Sequence, residues 1–337
     1  MIEAKRAKRT RSNTIVAIST SYERDPLLAR GMGFEHLKEL VERLARPIVV
    51  AGLSVAYAGS WKDSPDNFTK VLLGVISAEQ DDVDDLASAA LPIAPLVNHL
   101  AWPHYLAITP RIEAEAINSC RIIRVTQDLA GLTDVCPDAE AAFESDRAVF
   151  NAAVTLSAMR KLQVTGMPLD AAPYLKSEHI PPLEARILIG GKATGFRGFA
   201  PGVFEEALLM LEARKPVYLL GGFGGATGEL ADLLLEPATA AQITTKRLED
   251  DSPALRRLNK IATSRTIPST IHRGTEDLVA RLHKALVPGG DRSSSIAQVL
   301  NTGLNDSETQ DLITTNDMDT AVRLIVKGLR ARGVIKD

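Results

Sequence analysis

The sequence predicts an α/β protein: a Rossmann-like, mostly parallel sheet with helices on both faces and a C-terminal helical extension. Three observations predict it. Apolar runs short enough for buried strands alternate with helical patterns, as at 187–189, 203–211 and 217–220, and strand–helix alternation builds parallel sheets. Aromatic residues make up 4% of a chain that is 45% hydrophobic. The core must therefore be mostly Leu, Ile, Val and Ala, the composition of strands covered on both faces. Two glycine-rich turns, 190–202 and 221–225, each follow an apolar run and precede a helix. That is where such sheets receive nucleotide-like ligands.

Taken in order, residues 14–22 read as an edge strand, and 34–45 as a helix with Phe34, Leu37, Leu40, Val41 and Leu44 on one face. Ile48 to Gly52 reads as the first clear core strand, continuing into Leu53–Gly59. A helix follows through Val71, Leu72, Val75 and Ile76, then a strand at 122–125 and a long helix over roughly 139–164, with Val149, Ala153, Leu156 and Met159 as its stripe. Pro168, Pro173, Pro181 and Pro182 mark 165–183 as a loop. Pro201 suits the first turn of the next helix, which stops before Pro216. Beyond residue 236 strong strand runs cease. Thr275 is placed to cap a helix carrying Leu278, Val279, Leu282 and Leu286, and a last helix over 317–331 closes at Gly333. The expected organisation is a basic tail (1–13), a ligand-binding domain (14–236) and a helical extension on that domain (237–337).

A net charge of −3 argues against a dedicated nucleic-acid binder. The basic run from Lys5 to Arg11 reads as a solvated tail, and the acidic run 79–85 as a solvated loop lacking calcium-loop spacing. Cys120 and Cys136 are isolated, without disulfide or metal spacing, which suits a cytoplasmic protein. With no signal-like or membrane-length apolar run, no membrane association is expected, and no cofactor or metal is implied. His99, Trp102, His104 and Tyr105 cluster locally, but a lining or loop role fits them better than metal binding.

The chemistry concentrates in the two turns. In the first, Gly190 and Gly191 are followed by Lys192 and Arg197 among further glycines, the mixture a phosphate-clamping loop needs. In the second, Gly221, Gly222, Gly224 and Gly225 surround Phe223 and precede Thr227. Their N–H groups can form an anion nest, with Thr227 adding a hydroxyl and a cap, and Phe223 either stacking on a base or packing. The second turn is neither a Walker loop nor a dinucleotide fingerprint. Ser54 and Tyr57 are placed at the tip of an early strand to line the far side. Glu205 and Glu206 open the helix after the first turn, where the dipole favours carboxylates and only one of them can face the strand end.

Met159-Arg160-Lys161, then Ile187 to Gly191, then Pro201-Gly202-Val203-Phe204-Glu205-Glu206, resembles an expanded form of the motif of the lysine-decarboxylase-like phosphoribohydrolases, the LOG family. The run from Gly190 to Gly225 is similar to a divergent branch of the wider SLOG superfamily, found beside TIR domains in bacterial immunity. The resemblance implies a Rossmann-like sheet and a nucleotide-derived ligand, ADP-ribose-like or cyclic-nucleotide-like. It also implies an effector protein, TIR-type or other, encoded separately. A sensor of that kind is expected to form at least a homo-oligomer. The alternative it implies is a nucleotide N-glycoside hydrolase, with Glu205 or Glu206 at the ribose and Arg160 on the phosphate. About ten residues inserted between the Gly-Gly and the Glu-Glu separate this chain from the hydrolase spacing.

Overall fold

The computed structural model describes residues 12–62, 64, 66–80, 94–167, 179–238, 243–288 and 294–336. Most of the basic tail, the acidic run beyond residue 80, and the proline loop over 168–178 lie outside the described residues.

Six parallel strands form one sheet: β1 (Ile15–Ser21), β2 (Ser54–Tyr57), β3 (Leu96–Ala101), β4 (Cys120–Val125), β5 (Leu183–Gly190) and β6 (Val217–Leu220). Their spatial order is β4-β3-β2-β1-β5-β6. Residues 14–22 are therefore not an edge strand. Strand β1 lies at the centre, paired to β2 through Val16↔Val55 and to β5 through Ile18↔Ile187. Its Ile15 to Ile18 run is buried throughout, as a central parallel strand requires.

The helices before β5 are α1 (Arg24–Leu28), α2 (Phe34–Val50), α3 (Phe68–Gln80), α4 (Pro110–Ala116) and α5 (Asp146–Thr165). The expected strand at Ile48–Gly52 is the last turn of α2 and the residues after it. Ile48 falls four residues after Leu44 and continues the buried stripe Leu37–Leu40–Val41–Leu44. Burial on that stripe outweighs the cost of Pro47 inside the helix. The helix expected over 139–164 is two elements. A 3-10 turn over Asp138–Phe143 ends at Glu144, whose φ of 48° is left-handed. The Ser145 side chain then caps the Ala148 N–H to start α5. Strand β3, unassigned from sequence, carries His99 into the sheet.

After β5 come α6 (Gly202–Glu212), α7 (Gly225–Leu235), α8 (Thr245–Asp251), α9 (Pro253–Ala262), α10 (Thr275–Leu286), α11 (Ile296–Leu300), α12 (Asp306–Thr314) and α13 (Met318–Ala331). One face of the sheet, presenting Ala17, Ala56, Val97 and Leu188, packs on α5 to α11. The other, presenting Val16, Val55, Ile187 and Leu220, packs on α2, α3, α12 and α13. The C-terminal extension thus passes round the β6 edge and covers both faces. Its crossing is pinned by Tyr218, whose hydroxyl donates to the Thr302 carbonyl at 3.0 Å. Thr275 does not cap α10. Gly274 holds that position, and the Thr275 hydroxyl turns inward to the Phe199 carbonyl (2.7 Å) and Asn259 Oδ1 (2.8 Å).

Among the described residues, no helix is long and apolar enough to cross a membrane.

Candidate ligand-binding site

The winding of the sheet reverses between β1 and β5: β2, β3 and β4 leave on one side, β5 and β6 on the other. Open α/β sheets form their ligand crevice beyond the strand C-termini at such a reversal. A cavity of about 280 Å³ lies there. Its walls are Ser19, Thr20 and Ser21 at the tip of β1; Tyr57 and Ala58 at the tip of β2; Arg160 and Gln163 of α5; and Arg186 of β5. The first glycine turn adds Lys192, Gly195, Phe196 and Arg197, and α6 adds Gly202, Val203 and Glu206.

A buried ionic network forms the floor. Glu206 Oε2 lies 3.0 Å from Arg186 Nη1, and Glu206 Oε1 lies 3.6 Å from Arg160 Nε. Arg186 also donates to Ser19 Oγ (2.9 Å) and Gln163 Oε1 (2.6 Å). Burial pulls the Arg186 guanidinium below its usual range, and Glu206 opposes that. Arg160 donates through Nη1 to Glu205, which stands behind it, outside the cavity lining. Burial would raise the Glu205 carboxyl, but Arg160 and His272 outweigh burial and hold it at about 2. The crossing of Arg160 over the start of α6 needs Gly202, where a Cβ would sit 2.6 Å from Nη2.

Three buried polar atoms in this wall make no hydrogen bond within the protein: Thr20 Oγ1, Arg160 Nε and Arg186 Nε. Orphaned buried donors of this kind call for a ligand or water. Lys192 and Arg197 carry no ion pair among the described residues. The walls therefore present four cations against Glu206, with Glu205 behind.

The first turn is stapled at both ends. The Lys192 N–H donates to Ser21 Oγ (3.0 Å), and the Ala193 N–H and Thr194 hydroxyl donate to the Glu23 carboxylate (3.1 Å each). At the far end the Phe199 carbonyl accepts from Thr275, and its ring stands edge-on to His272 at 5.2 Å.

Of the residues expected at the site, Tyr57, Arg160, Lys192, Arg197 and Glu206 come together around the cavity. Gly190 ends β5 and Gly191 follows it, with φ of 59° and 87°, and the Gly191 carbonyl accepts from the Ala226 N–H at 3.0 Å. The second turn lies outside the lining. A Cβ on Gly225 would meet the Gly191 carbonyl at 2.4 Å, and one on Gly221 or Gly222 would run into backbone at the end of α12. Gly224 lies under the Arg30 guanidinium. Phe223 is a fully buried core residue, so of its two readings the structure shows packing. Thr227 does not cap α7. Gly224 is the N-cap, and the Thr227 hydroxyl is buried without a partner. Ser54 is not at a strand tip. It opens β2 at the end opposite the cavity, about 10 Å from Tyr57 along the strand.

His99 and His104 take separate places. His99 is buried in β3, where burial first and Arg186 second hold its imidazole near 3. His104 lies in the 3-10 turn His104–Ala107, its imidazole lowered by burial and then by Arg197 and Lys62. Among the described residues no group of three or more His, Cys, Asp or Glu is placed to hold a metal.

Sequence reasoning missed Ser19, Thr20, Ser21, Gln163, Arg186 and His272. Arg186 left a signal, a charge directly before the apolar run Ile187–Ile189 and within the strand, where Glu184 sits at the exposed start. So did Ser19-Thr20-Ser21, three hydroxyl residues directly after the buried run of β1. His272 left none.

Sheet order and cavity together define an open, doubly wound α/β protein with a cationic pocket at its switch point. The chain belongs to the SLOG cluster2 family, whose profile matches residues 10–312. No curated protein matches it.

Proposed function

We propose that this chain binds a nucleotide-derived small molecule at the β1/β5 switch point and acts as a ligand sensor. What carries the reading is the imbalance of charge in the cavity: Lys192 and Arg197, unpaired among the described residues, beside Arg160 and Arg186, which share Glu205 and Glu206. Phosphate oxygens complement the free cations, and arginine can hold two of them at once. The hydroxyls of Ser19, Thr20 and Ser21 and the Glu206 carboxylate suit a ribose diol on the inner wall. A volume of about 280 Å³ stands at the small end of small-molecule pockets and accommodates a ribose phosphate, with the rest of the ligand toward the mouth.

Family membership supports the same class of ligand. The sensor reading carries two partners, a second copy of the chain and a separately encoded effector. Light scattering with and without ligand tests the first: a strict monomer in both states removes it. Mass spectrometry of small molecules released from the purified protein tests the ligand. An intact nucleotide derivative is the expected result. Release of nothing phosphorylated, together with no heat on titration of AMP, ADP-ribose or cyclic nucleotides, sinks the reading.

A second reading, N-glycoside hydrolysis, has one observation of its own: Glu206 lines the cavity within reach of both arginines, while Glu205 is engaged behind Arg160. Base release from AMP, followed by chromatography, tests it. If the chain is a hydrolase, Glu206→Gln lowers turnover by about a hundredfold or more, the usual loss for a general acid–base group.

A further inference from the structure

A buried side chain of the C-terminal layer, His272, connects it to the cavity wall. His272 lies between α9 and α10 and is 4% exposed. The Gly274 N–H donates to its Nδ1 at 3.2 Å, which leaves the proton of a neutral ring on Nε2. That Nε2 lies 3.0 Å from Glu205 Oε1 and 3.2 Å from Ser157 Oγ. Glu205 Oε2 in turn accepts from Arg160 Nη1. Ser157 and Arg160 stand three residues apart on α5, on one face of that helix. The chain of contacts therefore runs from the C-terminal layer through imidazole and carboxylate to a guanidinium that lines the cavity. Without Nε2–H, Glu205 would lose one of its donors, leaving the Ser157 hydroxyl and Arg160 itself to hold the carboxylate less firmly. A metal-bound histidine is oriented by a carboxylate behind it on the same principle.

We propose that His272 is a positioning residue: acting through Glu205, it fixes the Arg160 guanidinium, so that the C-terminal layer sets the strength of the anion site. The contacts carry the positioning claim by themselves. Its bearing on binding rests on the ligand reading above. Linkage then runs both ways, and an anion that draws on Arg160 alters the hold on His272 and on the segment before α10.

Arginine side-chain NMR on the full chain tests this without a ligand. The resonance of the Arg160 Nη1 proton donated to Glu205 is assigned by its loss in Arg160→Lys. His272→Leu is expected to speed its exchange with solvent by about tenfold, the equivalent of one lost hydrogen bond. His272→Gln, whose amide places an N–H near the position of Nε2, is expected to restore the slow exchange. Unchanged exchange in a folded His272→Leu overturns the proposal, and so does failure of Gln to restore it. Should the leucine variant not fold, His272→Asn, too short to reach Glu205, is read by the same criteria. Ribose 5-phosphate then serves as a binding probe, with ribose as its uncharged control. His272→Leu should weaken ribose 5-phosphate about tenfold and leave ribose unchanged. Equal loss for both overturns the link to the anion site. If the unaltered chain binds no ribose 5-phosphate, the ligand reading fails, and the NMR result still decides the positioning role.

Discussion

The two glycine turns have similar composition and opposite surroundings. Around the first, Gly195 has no atom within 4 Å of where a Cβ would stand, and Lys192 and Arg197 extend into the cavity walls. Around the second, a Cβ on Gly222 would lie 2.1 Å from the Thr315 carbonyl oxygen, at the end of α12. The first turn spends its glycines on a loop that can surround something else. The second spends Gly221 and Gly222 on letting the C-terminal extension close over the end of β6, and Gly224 and Gly225 on the approach of Arg30 and of the end of β5. Glycine density reports that something comes close to the backbone. What comes close at Gly222 is another part of the same chain.

The sharpest way to break that comparison is Gly222→Val. The Thr314–Thr315 backbone leaves the side chain no room, so the cost should meet or exceed the roughly 3 kcal/mol upper range of ordinary overpacking. Denaturant unfolding that finds the variant as stable as the parent would mean the α12 contact does not hold the second turn. Acid tests the brace behind Arg160, which lines the cavity beside the first turn. The Glu205 carboxyl lies near 2 in the fold against 4.5 unfolded, so its stabilisation is complete above about pH 4.5 and lost as pH falls toward 2. Glu205→Gln should remove that part of the acid dependence of unfolding, besides destabilising the fold at neutral pH, by up to about 3–5 kcal/mol, because Arg160 loses the nearer of its two buried carboxylates. An unaltered acid profile would remove Glu205 from the brace.

Arg197→Ala separates binding from folding. Loss of a charge-assisted bond predicts roughly 1.5–3 kcal/mol weaker binding of a phosphate-bearing ligand, with unfolding stability within about 0.5 kcal/mol of the parent. Calorimetry showing equal affinity would take the first turn out of the phosphate site. The smallest effect is expected at Gly195→Ala. Its φ of 60° strains an L-residue by about 1–2 kcal/mol, with no clash added. A loss as large as that of Gly222→Val, measured the same way, would erase the difference between the turns.

The alternation of apolar runs and helical stripes was enough to foretell a parallel α/β sheet, because burial on both faces imposes that composition on any such strand. Lys192 and Arg197 were legible as a site because their residue types stand among glycines after a strand, and Arg160 and Glu206 because they match the motif of the phosphoribohydrolases. The sequence could not say that Ile48 to Val50 extend a helix. Three β-branched residues after a proline look like a strand until the stripe from Leu37 is continued through Ile48 onto the sheet. Nor could local pattern say which turn faces a ligand. That was decided when α12 came back, some ninety residues after Gly222, and occupied the space beside it. The contact of His272 with Glu205, across 67 residues, belongs to the same class. A sequence determines which segments must be buried and which backbone positions must stay bare. Only the tertiary structure decides what fills them, because the filling group comes from a distant segment that local periodicity does not constrain.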